Sequence, residues 1–102
     1  MDYFELRYEE RADWANWLNK HRGEFLSKVY DRISYAVDNE LLKVKLFIIT
    51  VGGERMIKCN LRMERLKEGG YLEILLEHFE DIEDYERCKR VLELRRIIHE
   101  NY

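Results

Sequence analysis

The stretch that decides the fold reads LLKVKLFIITV at residues 41–51, GG at 52–53 and ERMIKCNLRM at 54–63. Both flanks alternate in polarity, and the Gly52-Gly53 pair accepts the positive φ angles of a two-residue hairpin turn. Pairing Val51 with Glu54 stacks Leu42 with Met63, Val44 with Leu61, Leu46 with Cys59 and Ile48 with Ile57 on one face. A one-residue slip would destroy all four apolar pairs, so this register is the expected one. The other face then carries Lys43 opposite Arg62, Lys45 opposite Asn60, Phe47 opposite Lys58 and Ile49 opposite Met56.

Working outward, residues 13–38 read as helix. Trp14, Leu18, His21, Phe25, Val29, Ile33 and Ala36 follow three-and-four spacing, and Gly23 is the expected point of a bend or break. Residues 81–101 read as a second helix, acidic in its first turns (Asp81, Glu83, Asp84) and basic later (Arg87, Lys89, Arg90), which complements the helix dipole. Residues 71–79 alternate as a strand, yet Leu72, Leu75, Leu76 and Phe79 also fit a helix.

Laying residues 3–30 over 71–98 matches Tyr3 with Tyr71, Glu5 with Glu73, Glu9 with Glu77, Asp13 with Asp81, Arg22 with Arg90 and Leu26 with Leu94. Read as an internal repeat, both copies are a short strand, an Asp suited to N-capping and an amphipathic helix. The expected fold is α+β in a single domain over residues 1–102. It has a small antiparallel sheet, made of the central hairpin 41–63 and two further strands, with two helices on one face, and it contains two similar β-α motifs.

The chain has 102 residues, suited to one domain, and its 38% charged residues exceed the usual ~25%. Eighteen basic against 21 acidic residues give a net charge of −3, which argues against a dedicated nucleic-acid coat or a polybasic membrane binder. The longest apolar run, 46–51, falls far short of the ~20 residues that span a bilayer, and no basic-then-apolar leader begins at Met1. A cytoplasmic protein is expected.

There is no Pro and no Gln, and the aliphatic hydroxyl residues are only Ser27, Ser34 and Thr50. Charged residues in place of uncharged polar ones mark proteins that work hot. In this bias and in its length the chain resembles the small orphan proteins of filamentous viruses that infect hyperthermophilic archaea. That resemblance implies a non-enzymatic accessory protein of the host cytoplasm and transfers no site.

No catalytic pattern is present. The glycine pairs at 52–53 and 69–70 form neither a dinucleotide fingerprint nor a P-loop, so no cofactor is expected. His21, His78 and His99 are scattered over separate elements, which points to no metal site. Cys59 and Cys88 both fall on inward faces, where they read as buried thiols; the alternative is a disulfide stapling sheet to helix, as hyperthermophile proteins allow.

Lys43, Lys45, Lys58 and Arg62 share one sheet face and form a candidate phosphate-binding patch. If residues 71–77 form a strand beside the hairpin, Arg62 faces Glu73 and Lys58 faces Glu77, and the patch is neutralised internally. The distal half of the same face gathers Phe47, Ile49, Val51 and Met56, an apolar cluster stranded on the side away from both helices, and Trp17 on the first helix is a further contact candidate. The favoured reading is a protein–protein interaction module, binding a partner or peptide through this face or through a groove between the two motifs, or forming a homodimer. The other class is nucleic-acid binding. Residues 3–38, read as strand, helix, Gly23 and helix, resemble a ribbon-helix-helix domain, although the outward strand residues Tyr3, Glu5 and Arg7 are poor base-contacting donors.

Overall fold

In the computed structural model, which describes residues 2–102, the chain is α+β. Met1, where the leader argument applies, lies outside the described residues. Strand β1 (Phe4–Tyr8) leads into the long helix α1 (Arg11–Asp38), then into the hairpin β2 (Lys43–Val51) and β3 (Glu54–Arg62). A 3-10 turn (Met63–Lys67) follows, then helices α2 (Tyr71–Asp81) and α3 (Tyr85–Asn101). The sheet has three strands in the order β1-β2-β3. It is mixed, because the α1 crossover returns the chain parallel to β1 while the hairpin is antiparallel.

The hairpin forms where the glycines place it. Gly52 and Gly53 have φ of 59° and 80°, the pair of positive angles a type I′ turn needs. Val51 pairs with Glu54 and Lys43 with Arg62 as the alternation predicts, but the middle of the ladder departs from it. One register shift lies between Lys45 and Phe47, leaving Leu46 as an extra residue on β2. A second lies between Ile49 and Thr50 and leaves Met56 extra on β3, restoring the original count.

A bulge turns the residues beyond it to the opposite face. Phe47 and Ile49, expected outside, therefore join Val44 and Leu46 on the inner face. Phe47 now pairs with Cys59 and Ile49 with Ile57, while Ile48 is flanked by Glu5 and Lys58. The gain is a complete second cluster. β1 sets Phe4 against Phe47 and Leu6 against Ile49, and Phe4, Leu6 and Ile49 are buried with Trp14 and Trp17 packed on them.

Helix α1 opens with a reciprocal cap, in which the Asp13 carboxylate accepts the Glu10 backbone N–H at 3.1 Å. Asp13 is thus the third helical residue rather than the N-cap, which is Glu10. The helix bends, but at His21 (φ −121°, ψ 28°), whose ring stacks on Trp17 at 5.1 Å, and not at Gly23. Gly23 serves packing: a Cβ there would meet the His78 ring of α2 at 3.2 Å.

Residues 71–79 are helical, which settles the ambiguity between strand and helix. Leu72, Leu75 and Phe79 form one fully buried stripe at helical spacing. α2 ends at Asp81, and α3 begins only at Tyr85, where Asp84 is the N-cap and accepts the Arg87 N–H at 3.2 Å. The expected single helix over 81–101 is therefore shorter, and three helices replace two. The matched segments 3–30 and 71–98 fold differently, the first as strand and helix, the second as two helices, so the sequence match is not accompanied by a structural repeat.

The main core gathers Ile33 of α1, Val44 and Leu46 of β2, Met63 and Leu66 of the 3-10 turn, and the inner stripes of α2 and α3. Phe25, Val29 and Phe47 border both clusters and join them into one layer between sheet and helices. α3 is tied to α1 by Arg90, which donates to Asp38 at 2.6 Å and to Ser34 at 3.1 Å.

Candidate functional site

Two surface features stand out, at opposite ends of the sheet. Where β1 and β2 begin and α1 ends, a cleft of about 910 Å³ opens. Its cations are Arg32 from α1, Lys43 and Lys45 from the start of β2, and Lys58 from β3, while Glu40 is the carboxylate among its lining residues. Three of the four expected phosphate-binding residues thus meet here. Arg62 lines a neighbouring cleft of about 410 Å³ that shares Lys43, and it pairs with Glu64 at 3.5 Å.

The internal neutralisation expected for this patch does not form. It required residues 71–77 to be a strand, and they are helical; Glu73 pairs instead with Arg95 of α3 at 3.8 Å. The lysines are held by an aromatic residue. The Tyr3 ring lies 5.7 Å from Lys45 Nζ and 5.1 Å from Lys58 Nζ, and its hydroxyl accepts the Asn60 amide at 3.1 Å. Arg32 stacks on Phe4 at 4.6 Å, and its Nε is buried with no hydrogen-bond partner. Burial lowers the pKa of its guanidinium, and the neighbouring Asp31 carboxylate only partly offsets this loss of water. Sequence reasoning missed Arg32 because its helical spacing marks only a half-buried flank of α1.

At the other end lies an apolar notch of about 300 Å³, lined by Trp14, Ile49, Val51, Met56 and Ile57. Of the expected interaction residues, Val51 and Met56 are here. Ile49 forms only the floor, being 2% exposed, and Phe47 is drawn into the core between Phe4 and Phe25. Trp17 is half-buried between Tyr8 and His21. Met56 and Ile57 are the exposed members, at 41% and 43%. The bulge explains the rearrangement: the apolar surface survives, but on the helix-facing side of the hairpin tip, where α1 covers β1 and β2 and leaves the start of β3 bare.

The strand required by the ribbon-helix-helix resemblance, β1, is paired in parallel with β2 of its own chain, and its outward Glu5 and Arg7 bind each other at 2.6 Å. Among the described residues, no three His, Cys, Asp or Glu side chains come close enough to hold a metal ion, and no helix is long and apolar enough to cross a membrane.

Cys59, half-buried, and Cys88, buried, are free thiols in the structure. Burial raises both thiol pKa values, and Cys88 makes only a long contact to the Leu76 carbonyl at 4.0 Å. Tyr8, Tyr30 and Tyr102 are raised by burial in the same way. Each of these groups is neutral when protonated, and folding holds the proton more tightly. Their contribution to stability is therefore complete below the ordinary value and is lost as pH climbs through the raised one. Urea unfolding midpoints are expected to be flat through neutral pH and to fall from about pH 9 upward. A thiol reagent at pH 8 should label half-buried Cys59 before buried Cys88. Equal labelling rates in the folded protein would contradict this placement.

Comparison of the chain with protein-family models, with curated proteins and with solved structures gave no match.

Proposed function

We propose that the chain is a protein–protein interaction module that takes up an extended segment of a partner protein along the open edge of β3. One observation carries this reading. β3 is a nine-residue strand with a neighbour on one side only, and exposed Met56 and Ile57 on it border the notch beside Trp14. A peptide strand added to such an edge gains main-chain hydrogen bonds, and alternate side chains find pockets. The other free edge, β1, is only five residues long and has its charges paired internally.

Charge selects the occupant. β3 exposes Arg55, Lys58 and Arg62 against one acid, Glu54. Two copies meeting edge to edge would bring these cations together, which disfavours self-pairing. An extended segment alternating acidic and apolar residues satisfies both features, with the acids on the basic residues and an apolar side chain in the notch.

An eight-residue peptide of alternating Glu and Leu, carrying a fluorophore, is expected to bind saturably, and Met56→Asp should weaken it by about tenfold or more (~1.4 kcal/mol). Methylating the peptide's edge-facing amides should abolish binding altogether. The proposal fails if the wild type shows no saturation up to about 1 mM peptide. It also fails if sedimentation reveals a dimer that Met56→Asp dissolves, because the notch would then be filled by a second copy.

A further inference from the structure

The basic cleft lies at the other end of the sheet from the apolar notch, shares Lys58 with the β3 edge, and asks for a different ligand. Arg32, Lys43 and Lys58 have no carboxylate within ion-pair distance among the described residues, and Lys45 has only Asp2 at 3.9 Å. Against these four cations the cleft presents Glu40, and Asp31 beside it acts on Arg32 from outside ion-pair distance. In a chain of net charge −3 this local excess is a segregation of charge, not a consequence of composition.

The cations are also organised. Lys45 and Lys58 converge on the Tyr3 ring, and Arg32 sits over the Phe4 ring with its Nε shut away from water and unpartnered. A guanidinium in that state gains most from a charged acceptor at its remaining N–H groups, and the planar fork suits phosphate oxygens. The lip of the cleft is of another kind. Leu42 is 77% exposed, with Leu41 and Tyr35 exposed beside it. A volume of about 910 Å³ lies within the range of small-molecule sites.

We propose that this cleft binds a small, multiply charged phosphate ester with an apolar or aromatic body, of nucleoside diphosphate size. The phosphates meet Arg32, Lys43, Lys45 and Lys58, and the body lies against Tyr35, Leu41 and Leu42. The competing role for the lysines is to complement the carbonyl end of α1, which has no basic residue in its own last turn.

Calorimetric titration at low salt, with adenosine diphosphate, pyrophosphate, a single-stranded DNA 12-mer and phosphatidylglycerol vesicles as probes, separates these roles. Adenosine diphosphate should saturate at one site, bind more tightly than pyrophosphate, and shift backbone amide resonances around residues 32, 43–45 and 58–60. The double variant Lys43→Gln/Lys58→Gln should lose about tenfold or more in affinity with its melting temperature unchanged. Arg32→Lys, which keeps the charge and loses the fork, should also bind more weakly. The proposal is overturned if neither small phosphate saturates, or if only the DNA strand or the vesicles bind. It is equally overturned if pyrophosphate binds as tightly as the nucleotide, or if the double variant melts earlier yet binds adenosine diphosphate as before.

Discussion

Phe79→Ala is expected to cost about 3–5 kcal/mol and to lower the melting temperature by roughly 12 °C or more. Phe79 is fully buried and joins three helices. From α2 its ring meets Tyr30 of α1 edge-on at 5.2 Å and lies 5.6 Å from the Arg87 guanidinium of α3. Its carbonyl accepts the Asp84 N–H at 2.8 Å, closing the turn between α2 and α3. Truncation leaves a cavity that none of the three helices can fill without moving the others. Since a domain of this size is stable by only ~5–15 kcal/mol, the loss is a large share of the total. Ile82→Ala, at a site 54% exposed three residues on, should change stability by less than about 0.5 kcal/mol. Urea denaturation of both variants checks the pair. Comparable losses would mean that α2 does not pack through this stripe, and the helical reading of residues 71–79 would fall with it.

That segment also marks how far the sequence could be read. The hairpin, its turn and its end pairs were legible because Gly52-Gly53 and the flanking alternation agree, and α1 was legible from a stripe running from Trp14 to Ala36. Residues 71–79 were not, because their nine residues satisfy periods of 2 and 3.6 alike. What decides between them is tertiary: Met63 and Leu66 of the 3-10 turn are buried with Leu72 and Leu75 in one cluster. The match between residues 3–30 and 71–98 leaned on the strand reading and has no structural counterpart, since short polar-apolar patterns recur without common structure.

The candidate sites were legible only in part, for a related reason. Lys43, Lys45 and Lys58 share a face in any register that keeps the ends of the ladder, so the basic cluster follows from alternation alone. Its completion by Arg32 depends on where the end of α1 lies against the sheet, which no local pattern records. The apolar cluster was misplaced because bulges leave no mark in composition. Leu46 and Met56 are ordinary strand residues, and only the demand of Phe4 and Leu6 for partners on the inner face explains why the ladder slips between them.

That slip makes opposite predictions for two substitutions that a straight ladder would treat as equivalent. Without bulges, Ile49 and Met56 are a cross-strand pair on the outer face, and an Asp at either would be tolerated. With them, Ile49 is 2% exposed and packed with Phe4 and Leu6, whereas Met56 is 41% exposed at the rim of the notch. Ile49→Asp removes a buried branched side chain and places a carboxylate where the surrounding cluster is apolar. The lost packing costs about 2–5 kcal/mol, and the unpaired charge adds several more unless it protonates. The variant should fail to fold at neutral pH and recover some structure as acid neutralises the new carboxylate. Met56→Asp should remain folded, with a stability change within about 1 kcal/mol. Far-ultraviolet circular dichroism of the two proteins at pH 7 and pH 4 reads the difference. A folded Ile49→Asp protein at pH 7 would show that this side chain faces water, that the ladder runs straight, and that the notch beside Trp14 does not exist in the form on which partner binding depends.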